Sequence, residues 1–162
     1  MMADGLHPPT AATARSATDR RIFLRSWLRD PWQIAAVTPS GEALARLITS
    51  RISAQHAPVI ELGPGSGAFT RALIARGVPE HRIALVEQEP VFVSMLRRRF
   101  PQAGMHVMDA SRLNDVDICG DELAGAIVSG LPLLSMRAAV VSAILQGAFR
   151  QGRDDVAFYQ FT

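Results

Sequence analysis

Residues 58–67 read PVIELGPGSG and contain the strongest structural signal in the chain. The apolar run 58–62 stops at glycines, so it predicts a short buried strand. The three glycines at 63, 65 and 67 allow positive φ and let a ligand approach the backbone closely. Residues 69–76 read as a helix, whose first turn presents free N–H groups. A glycine loop between a strand and a helix predicts a ligand-binding site.

Working outward from this loop, strand and helix patterns alternate over residues 56–162. The further predicted strands are 82–86, 105–108, 123–129 and 155–162, and the further predicted helices are 90–100 and 136–149. This alternation predicts a Rossmann-like α/β fold, a parallel sheet with helices on both faces. Ligands bind such sheets outside the carboxyl ends of the strands. Residues 1–18 are expected to form a disordered tail, and residues 19–55 to form two helices, the second from Ser40 to about Ser53.

Composition narrows the class of protein. The 162 residues are enough for one domain, and the hydrophobic share of 48% is too high for a disordered chain. No run approaches the roughly 18 apolar residues of a membrane span, and the N-terminus lacks a signal-peptide core. The single cysteine, Cys119, permits no internal disulfide, and the histidines show no metal-ligand spacing. These features predict a cytoplasmic protein without a metal.

Acidic residues end the first three predicted strands. Glu61 precedes the glycine loop, Glu87 ends the second strand, and Asp109 followed by Ala110 ends the third. A glycine-rich loop alone would suggest NAD, and an acid at 87 suits the ribose diol of NAD or of S-adenosylmethionine. The Gly-x-Gly-x-Gly spacing and the acid at 61 favour S-adenosylmethionine. Asp109 could instead only cap a turn.

The loop resembles motif I of class I S-adenosylmethionine-dependent methyltransferases. Together with the Ser-Gly-Leu-Pro segment after strand four and with FLRSWLRDP at 23–31, it resembles the bacterial phospholipid N-methyltransferases, which methylate phosphatidylethanolamine stepwise towards phosphatidylcholine. The resemblance implies S-adenosylmethionine as cofactor and phosphatidylethanolamine as acceptor. The implied cofactor-binding residues are Glu61, Gly63, Gly65, Gly67, Glu87, Asp109, Ala110 and Ser129. The implied catalytic segment is Ser129, Gly130, Leu131 and Pro132.

Two other functions stay open. The related rRNA adenine N6-dimethyltransferases carry Asn-Leu-Pro-Tyr or Asp-Pro-Pro-Tyr after strand four, whereas this chain has Ser129 and an aliphatic Leu133. An aliphatic side chain cannot supply base stacking worth roughly 1–3 kcal/mol, so nucleic acid is not the expected partner. The third possibility is a truncated cofactor-binding domain without activity.

The segment 19–30 predicts an amphipathic helix. At 100° per residue, Arg21, Arg25 and Arg29 share one stripe, and Phe23 and Trp27 lie on the other side. Such a helix suits an anionic phospholipid surface, where each arginine contributes about 1 kcal/mol. The alternative is that its apolar side packs on the sheet. The membrane interpretation predicts a peripheral protein on the inner face of the cytoplasmic membrane.

The sequence ends with the predicted fifth strand. A complete class I methyltransferase sheet has two further strands, so we expect this chain to lack the last two. An uncovered edge strand favours association with another chain. Because the predicted cofactor residues all precede this point, binding of the cofactor is the firmer expectation and turnover the weaker one.

Overall fold

The computed structural model describes residues 39–161. The chain divides into two units, Met1–Thr38 and Pro39–Thr162, so the described part belongs to the second. The predicted tail and the predicted amphipathic helix, with its arginines and aromatic residues, lie outside the described residues. The domain boundaries predicted after residues 18 and 55 stay predictions.

The described residues form four α-helices and five strands, which alternate after the first helix except between β3 and β4. In chain order they are α1 (Pro39–Ile48), β1 (Val59–Leu62), α2 (Ala68–Ala75), β2 (Ile83–Glu87), α3 (Pro90–Arg99), β3 (Gly104–Val107), β4 (Ala124–Ser129), α4 (Ala138–Arg150) and β5 (Gly152–Gln160). A 3₁₀ segment, Ala110–Asp115, lies between β3 and β4.

The five strands form one parallel sheet in the order β3-β2-β1-β4-β5. The predicted Rossmann-like fold is therefore confirmed. The order reverses at β1, because β2 and β3 lie on one side of it and β4 and β5 on the other. The register aligns the carboxyl ends, with Leu62 opposite both Val86 and Ser129, and Ser129 opposite Gln160. This edge is where a parallel sheet places its ligands.

Alternate residues of β1 face opposite layers. Ile60 and Leu62 join the apolar cluster that includes Ile144 of α4, whereas Glu61 faces α2 through Thr70. Helices therefore cover both faces of the sheet, as predicted. Strands β1, β2 and β4 are buried along their whole length, which explains why their apolar runs were recognisable in the sequence.

Two element boundaries differ from expectation by three residues or more, and the others by one or two. Helix α1 ends at Ile48, five residues before the predicted end, and a turn follows it. Arg76, at the end of α2, donates to the carbonyl of Ile52 after this turn at 2.6 Å. Strand β5 begins at Gly152, three residues before the predicted start. No helix within residues 39–161 is long and apolar enough to cross a membrane.

Gln151 fixes the amino end of β4, opposite the carboxyl ends of the strands. Its side-chain amide donates to the carbonyls of Leu113 and Val116 at 2.9 and 2.6 Å and accepts from the Ile118 N–H at 3.0 Å. Its backbone carbonyl accepts from Ala124 at 2.8 Å. Because the residue is only 6% exposed, these bonds form a buried hydrogen-bond network. This network lies at the amino ends of the strands, and the glycine loop lies at their carboxyl ends.

Candidate functional site at the carboxyl ends of the strands

The glycine loop between β1 and α2 needs glycine at three positions. Gly63, Gly65 and Gly67 have φ of 64°, 52° and 77°, in the left-handed region. A Cβ at Gly63 would lie 2.6 Å from Leu131 Cδ2, and one at Gly67 would lie 2.5 Å from Phe100 Cε2. All three positions are therefore conformationally restricted to glycine, and Gly63 and Gly67 are sterically restricted as well.

Glu61 is fully buried beneath this loop. Its Oε2 accepts a hydrogen bond from the Thr70 hydroxyl at 2.7 Å. Its Oε1 has no hydrogen-bond partner among the residues that the structure describes. Burial raises the pKa of Glu61 to about 7, against the lowering effect of the Thr70 hydrogen bonds. A buried carboxylate oxygen without a donor is costly, so this residue is suited to a cationic or hydrogen-bond-donating ligand.

Glu87, at the end of β2, already serves the protein backbone. Its Oε1 accepts from the N–H groups of Gln88 and Glu89 at 2.9 and 3.0 Å, and its Oε2 accepts from Gly65 at 3.2 Å. Burial raises its pKa, and these three bonds oppose that effect. A carboxylate offers about four acceptor positions, so roughly one remains for a ligand hydroxyl. Glu87 therefore also shapes the glycine loop, a contact that the sequence analysis did not predict.

Asp109 follows β3 and caps the 3₁₀ segment. Its Oδ1 accepts from the N–H and the hydroxyl of Ser111 at 2.9 and 2.8 Å. The capping alternative is thus observed, and a contact with a cofactor stays a prediction. Ala110 buries its side chain in the core, so only its backbone is suited to the predicted role.

The segment after β4 lies directly on the glycine loop. Ser129 is fully buried, and its hydroxyl accepts from the Leu131 N–H at 3.3 Å. Gly130 donates to the Leu62 carbonyl at 2.9 Å, and a Cβ there would lie 2.8 Å from the Gly63 carbonyl oxygen. The segment continues through Pro132 into a 3₁₀ turn, Leu133–Ser135. The structure therefore brings the predicted catalytic segment onto the predicted cofactor loop.

Three side chains at this edge were not assigned to the site from the sequence. Arg99, in the last turn of α3, donates from its guanidinium to the Ser66 carbonyl of the loop at 2.7 Å. The ring of Phe69 lies beside Gly130, with Cε2 at 3.4 Å from the position of a Cβ there. Gln160 donates to the Leu131 carbonyl at 2.8 Å. All three contacts join residues that are far apart in the sequence, so local sequence patterns do not predict them.

The fold and the glycine-loop topology define the class. The chain has the class I methyltransferase fold, a Rossmann-like parallel sheet with the loop after its central strand. No protein-family model matches the chain. It is 33% identical over 119 residues to the ornithine lipid N-methyltransferase of Singulisphaera acidiphila, covering 70% of this chain and 62% of that protein. It is 34% identical over 95 residues to ribosomal RNA small subunit methyltransferase A of a Synechococcus species, covering 58% of this chain and 31% of that protein.

Among solved structures, the chain resembles 1,6-didemethyltoxoflavin-N1-methyltransferase of Burkholderia thailandensis, which was solved with its substrate and S-adenosylhomocysteine. The TM-score is 0.59 at 20% identity, over 96% of this chain and 66% of that one. This likeness supports the fold. The chain thus spans less than two thirds of the length of both curated relatives and of this structure.

Proposed function

We propose that this chain binds S-adenosylmethionine at the glycine loop and transfers its methyl group to the primary amine of a membrane lipid headgroup. The observation that carries the proposal is the packing of Leu131, the first residue of the aliphatic segment 131–134, on that loop. Leu131 lies against Gly63, so a lipid amine held by the segment would lie beside the cofactor. The ornithine lipid N-methyltransferase relative supports an aminolipid acceptor.

The residues at the loop fit S-adenosylmethionine. The buried Oε1 of Glu61 would accept the α-ammonium group, directly or through water, which supplies the donor that this oxygen lacks. The remaining acceptor position of Glu87 fits one ribose hydroxyl. The lack of a Cβ at the loop glycines permits close approach of the aminoacyl part. When bound, the cofactor supplies an electrophilic methyl group on a sulfonium.

The acceptor side is suited to a lipid amine because its side chains are aliphatic. Leu131 and Leu133 are partly buried against the core, and Leu134 is 84% exposed. The amine nitrogen would form the new N–C bond as the methyl–sulfur bond breaks, so it must reach the site without its extra proton. No strong base is required, because positioning of the two reactants supplies much of the rate. Phosphatidylethanolamine and ornithine lipid both present such a primary amine on a short polar headgroup.

The test is methyl transfer from labelled S-adenosylmethionine to vesicles. One set contains phosphatidylethanolamine, a second contains ornithine lipid, and a third contains only phosphatidylcholine, which has no amine N–H. Label in the first set supports phosphatidylethanolamine, and label in the second alone assigns ornithine lipid instead. Cofactor binding without label in any lipid would refute lipid methylation and favour a cofactor-binding domain.

A matched pair of variants tests the acceptor surface. Leu134→Glu places a charge on the proposed lipid-facing turn, whereas Leu123→Glu places the same charge just before β4, at the other end of that strand. Leu123 is 49% exposed, so both positions accept a charge. We expect Leu134→Glu to lower lipid methylation at least tenfold and Leu123→Glu to leave it within about twofold. Equal loss in both variants would argue against this surface.

Membrane attachment by the predicted helix is a further part of the proposal. Liposome flotation of the chain, compared with a variant carrying Arg21→Glu, Arg25→Glu and Arg29→Glu, tests it. Three charge reversals should release the protein from anionic vesicles. Unchanged flotation would remove the membrane role of this segment.

Methylation of RNA adenine is the second candidate. The ribosomal RNA methyltransferase relatives favour it, and the Phe69 ring beside Gly130 offers an aromatic surface that the Ser-Gly-Leu-Pro segment lacks. A parallel assay with small-subunit rRNA decides between the candidates. Labelled RNA, with Phe69→Leu abolishing the label, would favour this function over the lipid one.

A further inference from the structure

Two buried side-chain oxygens lack a hydrogen-bond partner within residues 39–161, and both lie at the carboxyl edge of the sheet. One is Oε1 of Glu61, at the end of β1, and the other is Oε1 of Gln160, at the end of β5. Buried acceptors are normally satisfied, so each one left alone is unfavourable unless a ligand supplies the donor. The first is explained by the proposed cofactor ammonium. The second has no place in the function as stated so far.

The orientation of the Gln160 amide is fixed by its donors. Its Nε2 donates to the Leu131 carbonyl at 2.8 Å and also to the carbonyl of Phe161. Both neighbours are acceptors, so a rotated amide would set its oxygen against two carbonyl oxygens. The amide must therefore direct its nitrogen to them, which leaves Oε1 as the group available for a donor.

Gln160 and Phe161 are joined to residues 129–131 at three points. It lies opposite Ser129 in the β4–β5 ladder, and the N–H of the next residue, Phe161, donates to the Ser129 carbonyl at 3.1 Å. Leu131 connects the two halves of the site, because its carbonyl accepts from Gln160 and its side chain lies against Gly63. The Gln160 amide is therefore one residue away from the glycine loop.

We infer that Gln160 is a substrate-positioning residue, whose Oε1 accepts an N–H of the lipid amine and holds that amine beside the glycine loop. This inference rests on the proposed function. Glu61 and Gln160 then receive different amines, those of the cofactor and of the acceptor. A quaternary headgroup has no N–H, so it cannot make this contact and is not retained by it.

The experiment compares three variants of the full chain by kcat and KM for phosphatidylethanolamine or ornithine lipid in mixed micelles, whichever lipid the vesicle assay selects. Gln160→Met removes donor and acceptor with little change in size. Gln160→Glu keeps an acceptor but loses the donor to Leu131, and Gln160→Lys keeps a donor but loses the acceptor. Binding of S-adenosylmethionine, measured by calorimetry, is the control for folding and for the cofactor site.

Loss of one hydrogen bond to the amine should lower kcat/KM of Gln160→Met by about 10- to 100-fold, mainly through KM, with cofactor affinity unchanged. The acceptor role requires Gln160→Glu to be more active than Gln160→Lys. If Gln160 only anchors the Leu131 segment, the order is reversed, and that order would overturn the inference. A kcat/KM for Gln160→Met within twofold of the parent would also overturn it. If the parent chain methylates no lipid, the proposed function fails and this assignment falls with it.

Discussion

The substitution Glu61→Gln should make the protein more stable and a weaker binder of S-adenosylmethionine. Burial raises the pKa of Glu61 to about 7 from its ordinary 4.5. That difference corresponds to about 3 kcal/mol of destabilisation when the carboxyl is ionised in both the folded and unfolded states. The amide keeps an oxygen for the Thr70 hydroxyl, but it places a neutral N–H₂ group where Oε1 lacked a partner, which costs about 1–2 kcal/mol. The net expected gain at pH 8 is about 1–2 kcal/mol.

The sign of the pH effect follows from the raised pKa. The folded state holds the Glu61 proton more tightly than the unfolded state, so the penalty is absent below pH 4.5, grows as pH rises to about 7, and is constant above. The advantage of Glu61→Gln should therefore disappear or reverse between pH 8 and pH 5, because the remaining penalty of under about 1 kcal/mol no longer exceeds the cost of the buried amide. Urea denaturation at both pH values, without added cofactor, measures this change.

The same variant should bind S-adenosylmethionine about 10- to 100-fold more weakly at pH 8, because a hydrogen bond to a charged group is lost. Glu42→Gln is the matched control, since the Glu42 side chain is 40% exposed on α1 and lies 3.7 Å from Arg46. This control should change neither quantity by more than about 0.5 kcal/mol or twofold. A destabilised Glu61→Gln protein with unchanged cofactor affinity would refute the reasoning and make Glu61 a structural residue.

The affinity for S-adenosylmethionine should fall about tenfold per pH unit below the Glu61 pKa of about 7, because the ammonium group binds the ionised carboxylate. Calorimetric titrations from pH 8 to pH 5.5 measure this affinity, and an affinity that does not change with pH would contradict the prediction. Gly67→Ala should lower the free energy of unfolding more than Gly77→Ala, because both glycines have positive φ but only a Cβ at Gly67 meets a ring, that of Phe100. Urea denaturation should show an additional loss of about 1–3 kcal/mol for Gly67→Ala, and equal losses would exclude the steric contribution. Gln151→Leu should lower the free energy of unfolding by about 3–5 kcal/mol in urea denaturation, because it leaves three buried backbone groups without partners. The folded protein should bind the cofactor with unchanged affinity, and weaker binding would contradict the separation of Gln151 from the site.

The elements that sequence patterns predicted well are those buried on both faces. Strands β1, β2 and β4 are short, mainly apolar runs followed by glycine or ended by an acid, with Glu61 as the one charged residue inside β1, and these features are local. The amino end of β5 was missed because residues 152–154 are polar or glycine and are mostly exposed. Its pairing with β4 depends on backbone hydrogen bonds, which leave no trace in hydrophobic periodicity.

The site was predictable to the extent that its residues follow strand ends. Glu61, Glu87 and Ser129 fall at one edge because parallel strands end there together, so the topology brings them close. The contacts of Arg99 with Ser66 and of Gln160 with Leu131 could not be predicted, since each spans about thirty residues of sequence and depends on the packing of α3 and β5. The hydrogen bonds from backbone N–H groups to the Glu87 carboxylate could not be predicted either, because they depend on the conformation of the folded loop.

The most direct test of the central claim is calorimetric titration of the purified chain with S-adenosylmethionine, with NAD as the competing ligand class. We expect binding of one S-adenosylmethionine per chain, weakened by Glu61→Gln but not by Glu42→Gln, and no measurable binding of NAD. Binding of NAD at the glycine loop, or no binding of S-adenosylmethionine by a folded chain, would contradict it.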